Sequence, residues 1–185
     1  MKKIIALALS LIMVLTCAAA LAEAPAAEKE SLKVIGAFEI KYSKLENDYK
    51  LTIVQQDDMS LFASILSEQE AMPIMVLSIA FNDSWADVER LNDVDEDGLN
   101  AIKATFEEQA EGVEFDTTET AYGTKLLVAK ADGGALVAIY TIYKGHEIEI
   151  DMFPGSAGKS VTEEDIQKVI QFLTDIEFTA AEAAQ

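Results

Sequence analysis

The chain contains one cysteine, Cys17, one histidine, His146, and only 14 basic residues against 33 acidic ones among its 185 residues. A serine-histidine triad or a histidine-rich zinc site would therefore depend on His146, and no Gly-x-Ser-x-Gly nucleophile motif accompanies it. The formal charge of −19 repels nucleic acid and anionic membrane surfaces, while it favours solubility and cationic or basic partners. We therefore predict a protein that is not an enzyme, needs no cofactor and does not bind nucleic acid.

The first 22 residues have the pattern of a secretory signal peptide. Lys2 and Lys3 precede a non-ionic run over residues 4–21, and the small-residue triplet Ala20-Leu21-Ala22 follows. The strongest apolar part, residues 4–15, is shorter than the roughly 20 residues that cross a bilayer. We predict cleavage between Ala22 and Glu23, no membrane span, and a location outside the cell or on the outer side of its envelope.

Cleavage after Ala22 would remove Cys17 and both leader lysines, which leaves 12 basic and 33 acidic side chains and a formal charge of −21. Disulfides, thiol catalysis and cysteine-based metal sites would then be excluded. The alternative is lipidation of Cys17, which would tether the protein to the envelope. The preceding residues Val14-Leu15-Thr16 lack the small residue that usually comes immediately before a lipidated cysteine.

The rest of the chain is predicted to form one domain between two polar segments. Residues 23–30 contain no large apolar side chain, which is typical of a flexible linker, and residues 180–185 are predicted to form a similar tail. The intervening residues 31–179 hold all the aromatic residues, so one hydrophobic core is expected there.

Apolar patterning and turn residues predict the order of elements inside this domain. Four strands come first, including a hairpin around Glu46-Asn47-Asp48, and the strand over residues 73–81 is expected to be buried on both faces. Helices over residues 85–91 and from about 94 to 110 follow. Four strands, separated by short turns such as Asp132-Gly133-Gly134 and Lys144-Gly145, precede a final helix over residues 163–175.

This order predicts an α+β fold with a mainly antiparallel sheet of about seven to eight strands and two main helices packed on it. The segments that carry a family resemblance are Tyr140-Thr-Ile-Tyr-Lys-Gly-His146, Glu147-Ile-Glu-Ile-Asp-Met-Phe153 and Thr162-Glu-Glu-Asp-Ile-Gln-Lys-Val-Ile-Gln-Phe-Leu173. With the element order, they resemble the PsbP-like superfamily over most of residues 31–178, and also small secreted proteins of Gram-positive gut bacteria. The resemblance implies an αβα sandwich and a non-catalytic binding or accessory role.

One candidate metal site lies in the acidic loop Asp93-Val-Asp95-Glu-Asp97-Gly98. Three alternating carboxylates followed by glycine begin an EF-hand loop, but the twelfth position, which needs a bidentate carboxylate, is Ala104. Weak Ca²⁺ binding through Asp93, Asp95 and Asp97 is therefore one hypothesis. The alternative is that Asp93 or Asp95 caps the following helix.

A candidate ligand face lies on the predicted hairpin over residues 135–153. Strand alternation puts Glu147, Glu149 and Asp151 on one face beside Ile142, Tyr140 and Ala138. This face is either solvated or partly covered, or it is a shallow site for a basic or sugar-like ligand. Tyr140 and the three carboxylates are the candidate ligand residues.

These features together predict an exported bacterial protein that acts as a binding or accessory module at the cell envelope or outside the cell. Its partner is not indicated, and a basic protein, a cation and a small polar ligand are all compatible with the charge. The alternatives are a weakly Ca²⁺-responsive protein and a lipoprotein tethered through Cys17.

Overall fold

The computed structural model describes residues 29–34, 38–43, 49–69, 72–120, 122–155, 161–167 and 177–180. The signal peptide, its cleavage site at Ala22 and Glu23, Cys17, residues 23–28 of the linker and residues 181–185 of the tail lie outside these ranges. The strands in the described ranges are β1 (Lys29–Val34), β2 (Phe38–Ser43), β3 (Lys50–Gln56), β4 (Ser60–Leu66), β5 (Ile74–Phe81), β6 (Glu114–Glu119), β7 (Lys125–Ala131), β8 (Leu136–Tyr143), β9 (His146–Phe153) and β10 (Glu177–Ala180). Helix α1 spans Glu96–Gln109, and residues 163–167 are also helical.

The strands form two antiparallel sheets. The larger has seven strands in the order β3-β4-β5-β9-β8-β7-β6, and the smaller has three in the order β1-β2-β10. The prediction of a mainly antiparallel α+β fold is confirmed. The strands divide into two sheets, whereas the sequence predicted a single sheet of about seven to eight strands.

One face of the seven-stranded sheet, here called the inner face, packs against the small sheet. Phe38 and Ile40 of β2 are almost fully buried in the same cluster as Ile139, Ile150 and other inner-face residues. Val161, just before the helical residues 163–167, and Ile166, among them, belong to this cluster too. The inner face therefore carries the main hydrophobic core.

The opposite face, here called the outer face, packs against α1 over strands β7 and β8. Ile102 and Phe106 of α1 are buried in one cluster with Leu127, Tyr140 and Ile142 of the sheet. Spacings of four residues put Ile102 and Phe106 on one face of the helix, as the sequence predicted. Among the described residues, no helix is long and apolar enough to cross a membrane.

The prediction of a hairpin between β2 and β3 is wrong. Both strands exist, but β2 pairs with β1 and β10, whereas β3 pairs with β4 in the other sheet. The turn chemistry of Glu46-Asn47-Asp48 predicts only a local reversal of the chain. Burial of Phe38 and Ile40 against the inner face decides the pairing instead, and that contact is not local.

The prediction of a helix over residues 85–91 is also wrong. This segment contains two 3-10 turns, Asp83–Trp85 and Leu91–Asp93, and the first is capped by the side chain of Asn82. Between them the backbone carbonyls of Val88 and Glu89 accept hydrogen bonds from the amides of Gly145 and Lys144 at 3.0 and 2.9 Å. Pairing with the β8–β9 turn therefore replaces the hydrogen bonds of a helix.

The β8–β9 turn consists of Lys144 and Gly145, with φ angles of 49° and 73°. Two positive φ values are typical of the type I′ hairpin turn, which the sequence predicted as a tight reversal. A Cβ atom on Gly145 would lie 2.8 Å from Cε2 of Phe81 and 3.2 Å from Cα of Ala86. This glycine is therefore required both by its backbone conformation and by the close approach of the 3-10 segment.

We expect Gly145→Ala to lower the free energy of unfolding by about 1–3 kcal/mol more than Gly112→Ala does, because overpacking adds to the backbone strain. Gly112 also has positive φ, 65°, but nothing lies within 4 Å of a Cβ atom placed there. Urea unfolding of the two variants measures the difference. Equal losses would contradict a steric role for Gly145.

Candidate functional site

Three carboxylates, Glu147, Glu149 and Asp151, follow one another on the outer face of β9 and are here called the carboxylate row. In the pairing of β9 with β8 they lie opposite Ile142, Tyr140 and Ala138. This confirms the predicted assignment of side chains to the two faces of the sheet. On the opposite face of the same strand, Ile148, Ile150 and Met152 are buried in the main core. The row is half-buried, so this outer face is partly covered and not fully solvated.

Glu147 holds the 3-10 segment to the sheet. Its Oε1 accepts a hydrogen bond from Nε1 of Trp85 at 3.0 Å and another from the hydroxyl of Tyr140 at 2.9 Å. Burial, together with the charge of Glu147, raises the pKa of Tyr140 above its usual range. Tyr140 is therefore a neutral hydrogen-bond donor, and both it and Glu147 serve to position Trp85.

Glu149 and Asp151 form a hydrogen-bonded carboxyl pair. Burial is the main reason that the pKa of Glu149 is raised to about 8, and the nearby charge of Asp151 raises it further. Burial also raises the pKa of Asp151, while its hydrogen bond from Glu149 acts in the opposite direction. The raised pKa of Glu149 favours its protonated form, in which it can donate a hydrogen bond to the Asp151 carboxylate.

A small cavity of ≈ 30 Å³ lies between this pair and the C-terminal end of α1. Phe106, Gln109 and Ala110 line it on the helix side, and Ala138, Glu149 and Asp151 line it on the sheet side. Its volume suits about one water molecule. The cavity is therefore too small to enclose a sugar ring.

The acidic loop before α1 serves to cap the helix. Oδ1 of Asp95 accepts a hydrogen bond from the amide of Gly98 at 2.8 Å, and Oδ2 of Asp93 accepts one from the amide of Arg90 at 3.1 Å. Asp97 lies in the first turn of α1, where a carboxylate is favoured by the helix dipole. Among the described residues no group of three or more histidine, cysteine, aspartate or glutamate side chains is placed to hold a metal ion. The structure therefore does not bring Asp93, Asp95 and Asp97 together as a Ca²⁺ site.

His146, beside the turn between β8 and β9, is buried. Its ring lies 5.1 Å from the ring of Phe38 and 5.3 Å from that of Phe81, both in edge-to-face contact. Its Nδ1 lies 2.9 Å from the carbonyl oxygen of Lys144, which suits an Nδ1–H donor. Packing of β2 over the end of the hairpin buries this residue, and that packing is not predicted by local sequence.

A second part of the outer face was not predicted from the sequence. It consists of exposed apolar side chains on β4, β5 and β9, here called the apolar patch: Phe62, Leu66, Ile74 and Phe153. The sequence predicted β5 to be buried on both faces, but Met75, Leu77 and Ile79 are buried and their neighbours are not. Ser64 and Ser78, between the apolar residues of this face, were the available signal of a face in contact with water.

The outer face thus has a covered half and an open half. In the covered half, α1 and Trp85 pack over β7, β8 and the carboxylate row, whose hydrogen bonds are internal. In the open half, the apolar patch lies exposed beside Asp151. Comparison of the chain with protein-family models, with curated proteins and with solved structures finds no match.

Proposed function

We propose that this protein is an exported, non-catalytic binding or accessory module that acts at the cell envelope or outside the cell and binds through the outer face of its large sheet. The observation that carries this proposal is the open half of that face, where four large apolar side chains remain between 39% and 47% exposed. Apolar side chains that are grouped on a water-soluble domain mark interaction surfaces more often than singly scattered ones do. A group of exposed apolar side chains on a sheet face suits a macromolecular partner.

The chemistry of the carboxylate row supports a binding role over a catalytic one. Glu147 is engaged by Trp85 and Tyr140, and Glu149 and Asp151 are engaged with each other, so their hydrogen bonds are directed inward. The adjoining cavity is small, ≈ 30 Å³, which suits water better than an enclosed substrate. A general acid must instead lie within hydrogen-bond reach of a bound reactant.

A PsbP-like αβα sandwich remains our proposal for the finer architecture. It is supported by the placement of α1 on the outer face, through Ile102 and Phe106, and of Ile166 in the core on the inner face. The three-stranded sheet shares that inner face and is an addition to the predicted arrangement.

Turnover assays test the non-catalytic part of this proposal. The exported protein, incubated with broad panels of hydrolase substrates, should give no turnover above that of a Glu149→Gln variant. Reproducible turnover that a single substitution at Glu147, Glu149 or Asp151 abolishes would overturn it.

Intact-mass measurement tests export and anchoring. After expression with the leader in a bacterium, we expect a product that begins at Glu23. A product that begins at a diacylated Cys17 would replace the free protein by the tethered lipoprotein, and an uncleaved product recovered inside the cell would contradict export.

A further inference from the structure

Three members of the apolar patch, Leu66, Ile74 and Phe153, form one row across neighbouring strands, and Phe62 lies on the same face beyond Ser64. Ile74 of β5 is paired with Phe153 of β9, and the β4–β5 register continues from Ile65 and Met75 to place Leu66 opposite Ile74. Phe62 lies four residues before Leu66 on β4, so strand alternation puts it on the same face. The exposed fractions are 43% for Phe62, 47% for Leu66 and 39% for both Ile74 and Phe153.

Acidic side chains outnumber basic ones around this patch. Asp57 and Asp58 occupy the β3–β4 turn at one end, Glu68 follows β4 at the other, and Asp151 lies on β9 beside it. Lys50 is the single lysine or arginine within the described residues 49–69, 72–81 and 146–153, and its Nζ lies 2.5 Å from Oε1 of Glu68. A partner seated on the patch therefore meets apolar side chains flanked by an excess of negative charge from Asp57, Asp58 and Asp151, with the Lys50–Glu68 ion pair beside Leu66.

Charge disfavours a second copy of this chain as the occupant. The protein carries a formal charge of −19, so two copies that approach face to face add like charges around the patch. Like-charge contacts across an interface suppress pairing, whereas complementary charge accelerates association and selects the partner. On the other half of the same face, α1 demonstrates how an apolar helical stripe covers this sheet.

We infer that the open half of the outer face docks a basic amphipathic segment of another protein, whose apolar side chains cover Phe62, Leu66, Ile74 and Phe153 while its lysines or arginines face the surrounding carboxylates. This inference rests on the proposed binding function and names the chemistry of its partner. Apolar contact supplies the affinity, and the acidic surroundings supply the selectivity.

Two designed peptides test the inference directly. One combines leucine and lysine at the spacing of an amphipathic helix, and the other has glutamate in place of every lysine. We expect the exported protein to bind the leucine–lysine peptide saturably in a calorimetric titration, with an affinity that falls as sodium chloride is added. The leucine–glutamate peptide should not bind.

Single substitutions locate the binding surface. Phe62→Ser and Leu66→Ser should each weaken binding at least about tenfold, as loss of a central apolar contact does. Tyr122→Ser is the matched control, because Tyr122 is 52% exposed in the turn between β6 and β7, at the other edge of the sheet. Circular dichroism verifies that each variant is folded, and two independent patch variants keep the test valid if one of them is not.

Each other outcome overturns the inference in a distinguishable way. Equal binding of both peptides would remove the requirement for a basic partner while leaving the binding function. If the protein binds neither peptide but self-associates, and Phe62→Ser abolishes that self-association, the occupant is a second copy of this chain. The absence of both would show that this half of the face is not a docking surface. Turnover in the substrate panels would separately overturn the non-catalytic part of the proposed function.

Discussion

Replacement of Phe38 by alanine should lower the free energy of unfolding by about 3–5 kcal/mol, the largest effect that we expect from a single side chain. Phe38 is 1% exposed, and its ring lies 5.1 Å from the rings of both Tyr143 and His146. It is the described aromatic side chain through which β2 contacts the end of the β8–β9 hairpin. Its removal leaves a cavity between the two sheets that neither sheet can easily close.

Urea unfolding followed by circular dichroism measures this loss, and Phe62→Ala is the matched control. The chemical change is the same, but Phe62 is 43% exposed, so its loss should cost about 1 kcal/mol or less. If the two variants were destabilised equally, the packing of the small sheet against the large one through Phe38 would be contradicted.

Glu149→Gln should stabilise the protein above pH 8 and leave its stability nearly unchanged near pH 4. In the folded protein the pKa of Glu149 is raised to about 8, against an ordinary value of 4.5. The folded state therefore binds more protons than the unfolded state between these two pH values, and the stability from this group falls as the pH rises through them. Glutamine keeps a donor for Asp151 and cannot ionise, so the variant should lose this dependence.

The measurement is the midpoint of urea unfolding, compared between Glu149→Gln and the natural protein from pH 4 to pH 9. Other groups titrate in the same range, so the difference between the two proteins at each pH is the informative quantity. Glu107→Gln, at an exposed position on α1, is the control for removing a carboxylate. A difference that does not change with pH would contradict a protonated Glu149 in the folded protein.

The elements that the sequence predicted well are those decided by neighbouring residues. The β8–β9 hairpin follows from alternating side chains and a turn, Lys144-Gly145, whose backbone geometry admits few alternatives. Helix α1 follows from the spacing of Ile102 and Phe106 and from a capping aspartate, Asp95. In both cases the local preference and the tertiary structure agree.

The elements that were predicted wrongly depend on contacts between residues that are distant in the sequence. A turn signal after strand β2 favours pairing with β3, but β2 is held by β1 and β10. The segment around Trp85 has helical spacing, but it is held by the β8–β9 turn and by Glu147. No local pattern specifies these partners, because the free energy that decides them comes from burial on an already assembled sheet.

The candidate site was likewise predicted only where neighbouring residues decide its geometry. Alternation along β9 placed Glu147, Glu149 and Asp151 correctly on one face, but it could not indicate that Trp85 and Tyr140 engage Glu147. The apolar patch was not predicted because an exposed Phe or Ile in a strand resembles a buried one in sequence, and only Ser64 and Ser78 signalled contact with water. Only the extent of α1 across the sheet decides which half of the outer face is left open.

The small sheet has a consequence for the order in which the molecule can be completed. Its central strand β2 is flanked by β1, residues 29–34, and by β10, residues 177–180, so its two outer strands come from opposite ends of the folded region. Pairings between residues so far apart in the chain form slowly. During synthesis, β2 cannot pair with β10 until residues 177–180 have been made. A chain that remains unfinished until its last strand is made suits a protein proposed to cross a membrane before it folds.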